Sequence, residues 1–193
     1  MFGLPPEIVV FDTEYTAWEG SMARNWTGPN EAREIVEIGA VCVETEAFTE
    51  RGAFDILVQP VKNPKLSPYF ITLTAITQER VDREGRPFAE ALRAFSDWSA
   101  GRPLYSWGGD DAVLRENCDF AAIAFPFPDQ AFADIKQVFE AAGIKTDGYM
   151  SSTIVRALGR EPARRAHGAA NDARTIVDGL RALRDAERGE LQR

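Results

Sequence analysis

Ile8-Val9-Val10-Phe11-Asp12-Thr13-Glu14 is the stretch that decides how the rest of the chain reads. Four consecutive apolar residues form the pattern of a strand buried on both faces. Asp12 and Glu14 follow where that strand is expected to run out. Side chains two apart in a strand share a face, so the two carboxylates point the same way. Like charges so placed repel each other and resist leaving water. A divalent cation removes both costs, and Mg²⁺ is typically held by one or two carboxylates together with substrate phosphates.

The triplet by itself is cheap. With 13 Asp and 17 Glu in 193 residues, chance supplies about one Asp-x-Glu. The chain has three such triplets. Asp82/Glu84 runs into Gly85-Arg86-Pro87, a turn pattern. Asp185/Glu187 lies on a C-terminal helical pattern, where residues two apart do not face each other. Only Asp12/Glu14 follows a buried strand. The competing reading of that pair is a polar, turn-forming strand end.

A chain of this length suits one domain with a sizeable core. Its 45% hydrophobic and 27% charged residues are ordinary for a globular protein. No apolar run approaches the roughly 20 residues of a bilayer span, and Met1 to Glu7 lacks the basic flank and apolar core of a signal peptide. The expectation is a cytoplasmic protein without membrane contact. Cys42 falls in a strand pattern and Cys118 in a helical one, without ligand-like spacing, so both read as buried free thiols. The net charge of −8 argues against sequence-independent gripping of long duplexes, which needs Lys and Arg on phosphates. It leaves room for an enzyme acting on one nucleic-acid end.

Taken in order, the first strand covers Ile8–Phe11 and a long loop covers 15–33. Loops of that length without structure of their own are often functional. Glu34–Val43 reads as a second strand and Phe54–Gln59 as a third, joined by a short polar link in an antiparallel meander. A Pro-rich loop follows (Pro60, Pro64, Pro68), then a short helix start at Thr77. Ala91, Leu92, Phe95 and Trp98 recur at helical spacing, a core-facing stripe behind Pro87. Pro103–Trp107 is a fourth strand, Ala112–Asn117 starts a helix with an Asp available as N-cap, and Phe132–Ile135 is a short fifth strand. Lys136–Ala142 and Ser151–Leu158 read as helical. The last helix, about Ala169–Arg188, turns Ala173, Ile176, Val177, Leu180 and Leu183 to the core. Meander strands followed by strands alternating with helices imply a mixed sheet with helices on its faces.

Asp172 is in register with Ala169 and Ile176 on that helix, so it points toward the sheet, an unfavourable place for an unpaired carboxylate. The alternative is an acid favoured by the helix dipole. His167 is the only histidine and precedes Asp172 by five residues, an offset that chance gives about 7% of the time. An imidazole near its ordinary pKa suits a general base; a lone loop histidine is otherwise simply solvated. Asp110 and Asp111 stand at the end of the fourth strand, and sites in open α/β sheets form just beyond strand ends. Asp110 is preferred as the site residue, because Val113 and Leu114 then fall at +3 and +4 to pack the helix.

Together these features resemble the DnaQ-like DEDDh exonucleases over about residues 8–184. Phe11-Asp12-Thr13-Glu14 is similar to the family's first motif and His167-Gly168-Ala169-Ala170-Asn171-Asp172-Ala173 to its third. Glu37-Ile38-Gly39-Ala40-Val41, Leu73-Thr74-Ala75-Ile76-Thr77 and Ser106-Trp107 look most like the Eri-type 3′→5′ exoribonucleases. Ala75 departs from the Gly common there, and the tight Trp107-Gly108-Gly109-Asp110-Asp111 spacing leaves the third acid between Asp110 and Asp111.

The resemblance implies an α/β, RNase H-like fold with a mixed five-stranded sheet flanked by helices, forming a single exonuclease domain over 1–193. It implies that Asp12, Glu14, Asp110 and Asp172 hold two Mg²⁺ or Mn²⁺ ions, a pair that stabilises attacking and leaving oxygens of an in-line displacement. His167 takes a proton from the attacking water. The substrate is the 3′ end of single-stranded RNA or DNA, RNA favoured, and the product a nucleoside 5′-monophosphate. Thr13 lies beside the terminal sugar, and Tyr69 and Trp107 near the terminal base, where stacking contributes about 1–3 kcal/mol; core packing is the alternative for both aromatics. Arg164 and Arg165 meet the penultimate phosphate or form a solvated pair. Two rivals stand beside this. A haloacid-dehalogenase-type phosphatase would use Asp12 as nucleophile but leaves His167 and Asp172 without a task. An inert nucleic-acid-binding module is expected to have lost one of the five residues.

Overall fold

The computed structural model describes residues 2–191, with side chains described for 2–189. Strand β1 runs Glu7–Tyr15, further than its apolar run predicts. Asp12 and Glu14 therefore lie inside the strand rather than past its end. The reason is the neighbouring strand: β2 (Ile35–Glu44) pairs antiparallel along the whole of β1, Asp12 opposite Gly39 and Glu14 opposite Glu37. Ladder hydrogen bonds engage the backbone, which continues whatever the side chains carry.

β3 (Thr49–Leu57) returns antiparallel beside β2 and starts earlier than Phe54, where the sequence pattern placed it. The Glu44 carboxylate closes that turn, accepting from the backbone N–H groups of Glu46, Ala47 and Thr49 at 3.0–3.1 Å. β4 (Leu104–Ser106) and β5 (Phe132–Asp134) add in parallel on the other side of β1, giving the order β3-β2-β1-β4-β5. This is the mixed five-stranded sheet expected.

Six α-helices are described: α1 (Pro68–Thr74), α2 (Gln78–Glu84), α3 (Phe88–Ser99), α4 (Asp110–Ala121), α5 (Lys136–Ala141) and α6 (Ala169–Leu191). α1 begins at Pro68, the last proline of the expected Pro-rich loop, and runs through a stretch to which the sequence pattern assigns no state. Pro68 opens it and the Ser67 hydroxyl accepts from the Phe70 N–H at 3.0 Å, a serine cap ahead of a first-turn proline. The expected helix at Ser151–Leu158 is only a 3-10 turn over Ile154–Leu158. Thr153, Ile154 and Val155 are β-branched, and the Thr153 hydroxyl accepts from the Met150 N–H at 2.9 Å, bonding that competes with an α-helix.

The alternation of β1 sorts the core into two layers. Val9 and Phe11 pack with Ala91, Leu92, Phe95, Val113 and Leu114 of α3 and α4. Ile8 and Val10 pack with Phe139 of α5 and Ala173, Ile176, Val177 and Leu180 of α6. Cys42 and Cys118 are buried free thiols. Among the described residues no helix is long and apolar enough to cross a membrane.

Candidate active site

Strand alternation carries straight from core to site. Asp12 and Glu14 continue the face that holds Ile8 and Val10, the face covered by α6. Thr13 continues the other, toward the start of α4. The approach of α6 is fixed by Gly39, opposite Asp12 in the ladder. A Cβ there would lie 2.0 Å from the Ala170 backbone nitrogen, so only glycine lets the helix backbone rest on β2. Glu37, two positions before it on the strand, accepts from the Ala169 N–H at 2.7 Å. The first turn of α6 is thereby pinned over the sheet, and Asp172 is delivered beside Asp12 and Glu14.

Asp172 is held by the backbone just ahead of its own helix. His167 adopts a left-handed backbone (φ 62°), which aims its N–H at Asp172 Oδ2, 3.3 Å away. Asp172 Oδ1 is buried and has no hydrogen-bond partner. A ring nitrogen of His167 and carboxylate oxygens of Glu14 and Asp172 all lie within 4.8 Å of one another.

Asp110 comes from the first turn of α4. Its Oδ1 accepts from the Thr13 hydroxyl at 2.6 Å and the Thr13 N–H at 3.2 Å. The expectation that one of the two adjacent acids caps α4 is corrected: the cap position is Gly109, and both acids lie in the first helical turn, where the dipole favours them. Asp110 lines the same cavity as Asp12, and Asp111 is not among that cavity's residues. The Thr13 hydroxyl is committed to Asp110.

The four carboxylates are each 9% exposed or less, so each has lost most of its hydration. Burial, followed by the charges of Asp110, Glu14 and Asp172, raises the Asp12 carboxyl well above its ordinary range. Glu14 is raised likewise, by burial and then by Asp172, Glu37 and Asp110. Burial lifts Asp110 to about 6 and Asp172 to about 7. Glu37 is lifted to about 7 by burial and by Asp55. Four crowded acids, with one buried oxygen left unbonded, are a donor set that fits a hard divalent cation. His167 moves the other way: burial and the charge of Arg165 hold its imidazole below the ordinary 6.5.

Asp12, Glu14, Asp110, Asp172 and His167 line a cavity of about 430 Å³ together with Thr13, Tyr69 and Trp107. Trp107 is both core and wall. Its indole N–H donates to the Tyr149 carbonyl at 3.0 Å, and its ring meets Phe139 edge-on. Tyr69 is 41% exposed, which suits a rim rather than a core residue. The rim also contains Met22, Trp26 and Met150, which the sequence pattern does not single out; Met22 and Trp26 come from the long loop marked as functional only by its length. Glu37 was missed as well. Its signal was a carboxylate inside an otherwise apolar strand. Ser151, beside Asp12 and Asp172, carried no signal. Arg164 is ion-paired with Asp178, while the neighbouring Arg165 is exposed. The phosphatase rival leaves idle two residues, His167 and Asp172, that stand in the same cavity as Asp12.

The comparisons with known proteins point the same way. A family model described as RNase_T exonuclease matches residues 9–180. The probable 3′-5′ exonuclease KapD of Bacillus subtilis is 32% identical over 123 residues, 62% of this chain and 57% of that one. The 3′-5′ exoribonuclease 1 of Homo sapiens is 34% identical over 91 residues, 47% of this chain and 24% of that one. The chain thus spans from about a quarter to little more than half of the length of these relatives. The nuclease domain of 3′hExo, a DEDDh family member solved with rAMP bound, superposes with a TM-score of 0.77 at 26% identity, covering 93% of this chain and 92% of that one. A 3′-exonuclease solved for its recognition of the histone mRNA stem-loop 3′ end gives 0.79 at 24% identity, over 95% and 84% of the two chains. That second likeness speaks for the fold alone.

Proposed function

The chain belongs to the RNase_T exonuclease family, a family of nuclease hydrolases, and from that premise we propose that it shortens single-stranded nucleic acid from the 3′ end, RNA in preference to DNA, releasing nucleoside 5′-monophosphates. In this reading residues 1–193 act as one exonuclease domain. Asp12, Glu14, Asp110 and Asp172 hold two divalent ions, Mg²⁺ or Mn²⁺. When bound, such ions supply Lewis-acid stabilisation of the charge that builds on the phosphoryl oxygens.

The chain's own residues do the rest. Thr13 fixes the Asp110 carboxylate through two donated hydrogen bonds. Glu37 and Gly39 fix the helix that carries Asp172. His167 stands within reach of the acids with its imidazole held below 6.5, so near neutral pH it is in the basic form that accepts a proton from water. Tyr69 and Trp107 offer ring faces to the terminal base, and the rim's sulfur and indole groups add apolar surface that tolerates any base. The preference for RNA takes its support from the exoribonuclease relatives.

The observation that carries this reading is the convergence of Asp12, Glu14, Asp110, Asp172 and His167, drawn from three distant parts of the chain, on one cavity. The test is digestion of matched ribo- and deoxyribo-oligonucleotides, single-stranded and duplex, labelled at the 5′ end and incubated with Mg²⁺ or Mn²⁺. A one-nucleotide ladder with 5′-monophosphate products is expected, strongest for single-stranded RNA. Internal cuts, 3′-monophosphate products or full activity in EDTA would overturn it.

A further inference from the structure

Resting on the exonuclease reading, we propose that the strand leaving the cavity is held by its phosphates along the stretch Arg156–Arg165, with Arg165 and Arg160 as the contacting residues. Within ten positions this stretch sets Arg156, Arg160, Arg164 and Arg165 against one acid, Glu161, in a chain whose net charge is −8. Two of the four arginines are occupied. Arg156 pairs with Glu161 at 3.1 Å. Arg164 pairs with Asp178, which also holds Arg181 at 2.8 Å, and Arg181 donates in turn to the Phe48 carbonyl at 2.6 and 2.9 Å. Arg164 is therefore a fastening: it ties the stretch to the side of α6.

Arg165 is the next residue and is turned outward. Arg165 and Arg160 are both exposed, and neither has a carboxylate partner within 4.0 Å among the described residues. Arg165 lies two residues from His167, which lines the cavity, and it is close enough to depress the imidazole's proton affinity. Arg165 stands beside the acidic cavity, next to His167, and Arg160 lies further out, toward Asp185 of α6; two exposed guanidinium groups so placed are poorly explained as solubility charges, since acids outnumber bases in the chain as a whole. A strand whose 3′-terminal nucleotide fills the cavity has its next phosphates outside, each carrying one negative charge. A guanidinium fork fits a phosphate with two parallel hydrogen bonds. Along the chain Arg160 and Arg165 are at most about 18 Å apart, so a strand of a few nucleotides that passes Arg165 can reach Arg160.

The experiment compares the full chain with its Arg160→Gln/Arg165→Gln variant, with metal present, on two substrates: a dinucleotide, whose single phosphate is the one cleaved, and a single strand of about a dozen nucleotides. For the longer strand KM should rise about tenfold with kcat within about twofold, and the slope of log KM against log salt should fall by about 1.4, or about 0.7 for each phosphate that no longer meets a guanidinium. Assayed at pH 8, where His167 is in its basic form in both proteins, the dinucleotide should be hydrolysed unchanged, and Arg160→Lys/Arg165→Lys, which keeps the charges but not the fork, should restore the salt slope. An unchanged salt slope, or an equal loss of activity on both substrates, overturns the proposal. If the wild-type chain cleaves neither substrate, the exonuclease reading fails by itself. Fluorescence-anisotropy binding of the longer strand, with Ca²⁺ present, then decides the phosphate path: the same drop in salt slope supports it, and equal binding by both proteins overturns it.

Discussion

Gly39→Ala puts the architecture of the site to its most direct test. The added Cβ would lie 2.0 Å from the Ala170 nitrogen, 2.5 Å from the Ala169 carbonyl carbon and 2.7 Å from the Ala170 Cα. All three are backbone atoms, so no rotamer change relieves the clash. Restoring a separation of 3.4 Å, still close for a real Cβ, displaces the start of α6 from β2 by about 1.4 Å. Overpacking of this kind costs about 1–3 kcal/mol, which for a chain of this size lowers Tm by about 2–12 °C. The same displacement carries Asp172 away from Asp12 and Glu14. A misplacement near 1 Å in a reacting constellation costs about 100-fold in rate, so hydrolysis by the folded variant should drop by about that factor and its metal affinity should weaken with it.

The assay pairs circular-dichroism melts with 3′-end hydrolysis at a temperature well below the variant's Tm, where all of the protein is folded. Gly52→Ala is the control. Its Cβ would meet only Trp98, at 3.9 Å, so Tm should hold or rise slightly and activity should not change. A Gly39→Ala protein with the wild-type rate and Tm would show that α6 does not depend on this close approach. Reduced stability with an intact rate per folded molecule would show that the helix position does not set the site.

Three further outcomes are expected. Asp110→Asn should cost far more activity than Asp111→Asn, because only Asp110 lines the cavity and is gripped by Thr13; equal losses, or a larger one for Asp111, would reverse the assignment. His167→Ala should slow hydrolysis about 10²–10⁴-fold while metal titration by calorimetry stays near wild type; a parallel loss of metal binding would make His167 a ligand rather than a base. The third concerns pH. Asp110 and Asp172, raised to about 6 and about 7, bind protons more tightly folded than unfolded. Their contribution is fully present below the unfolded value of 3.8, declines above it and is lost as pH rises through 6–7. Metal-free protein should therefore melt lower at pH 8 than at pH 5, and saturating Mg²⁺ or Mn²⁺ should remove or reverse that difference. A metal-free Tm that climbs steadily from pH 5 to 8 would falsify the crowded-carboxylate account.

Much of the fold was legible because β1, β2 and α6 carry strong periodic patterns. Four unbroken apolar residues in β1 and a regular apolar face on α6 leave few alternatives. The acids were legible for the same reason: Asp172 stands out only because its helix has a well-defined inner face. What stayed hidden depended on distant partners. The continuation of β1 through Asp12 and Glu14 comes from β2, which no local rule reports. The Asp110 choice was made on helix packing, yet the feature that fixes that acid is a hydroxyl from Thr13, 97 positions earlier in the chain. Glu37 could have been noticed as a charge in an apolar run, but its task, holding the Ala169 N–H, exists only once α6 has docked. Met22, Trp26 and Met150 sit in irregular segments, where side-chain direction follows from turns rather than from a period.

The charge pattern also orders the events at the site. A chain of net charge −8 with four buried acids in its cavity repels a phosphodiester. Protons shared among those acids at neutral pH relieve the crowding only partly, because Asp110 titrates at about 6 and Asp172 at about 7. In the proposed function two divalent ions would cancel four negative charges and supply the positive centre that a phosphate seeks, and the buried Asp172 Oδ1, which has no hydrogen-bond partner, would be available to them. On that reading metal binds before substrate. Strand binding measured at rising Mg²⁺ or Mn²⁺ should follow the metal isotherm, and the strand should in turn tighten the metal by the same factor, since the coupling is reciprocal. Strand affinity that is independent of metal would mean that the acidic cavity is not where the strand's end is bound.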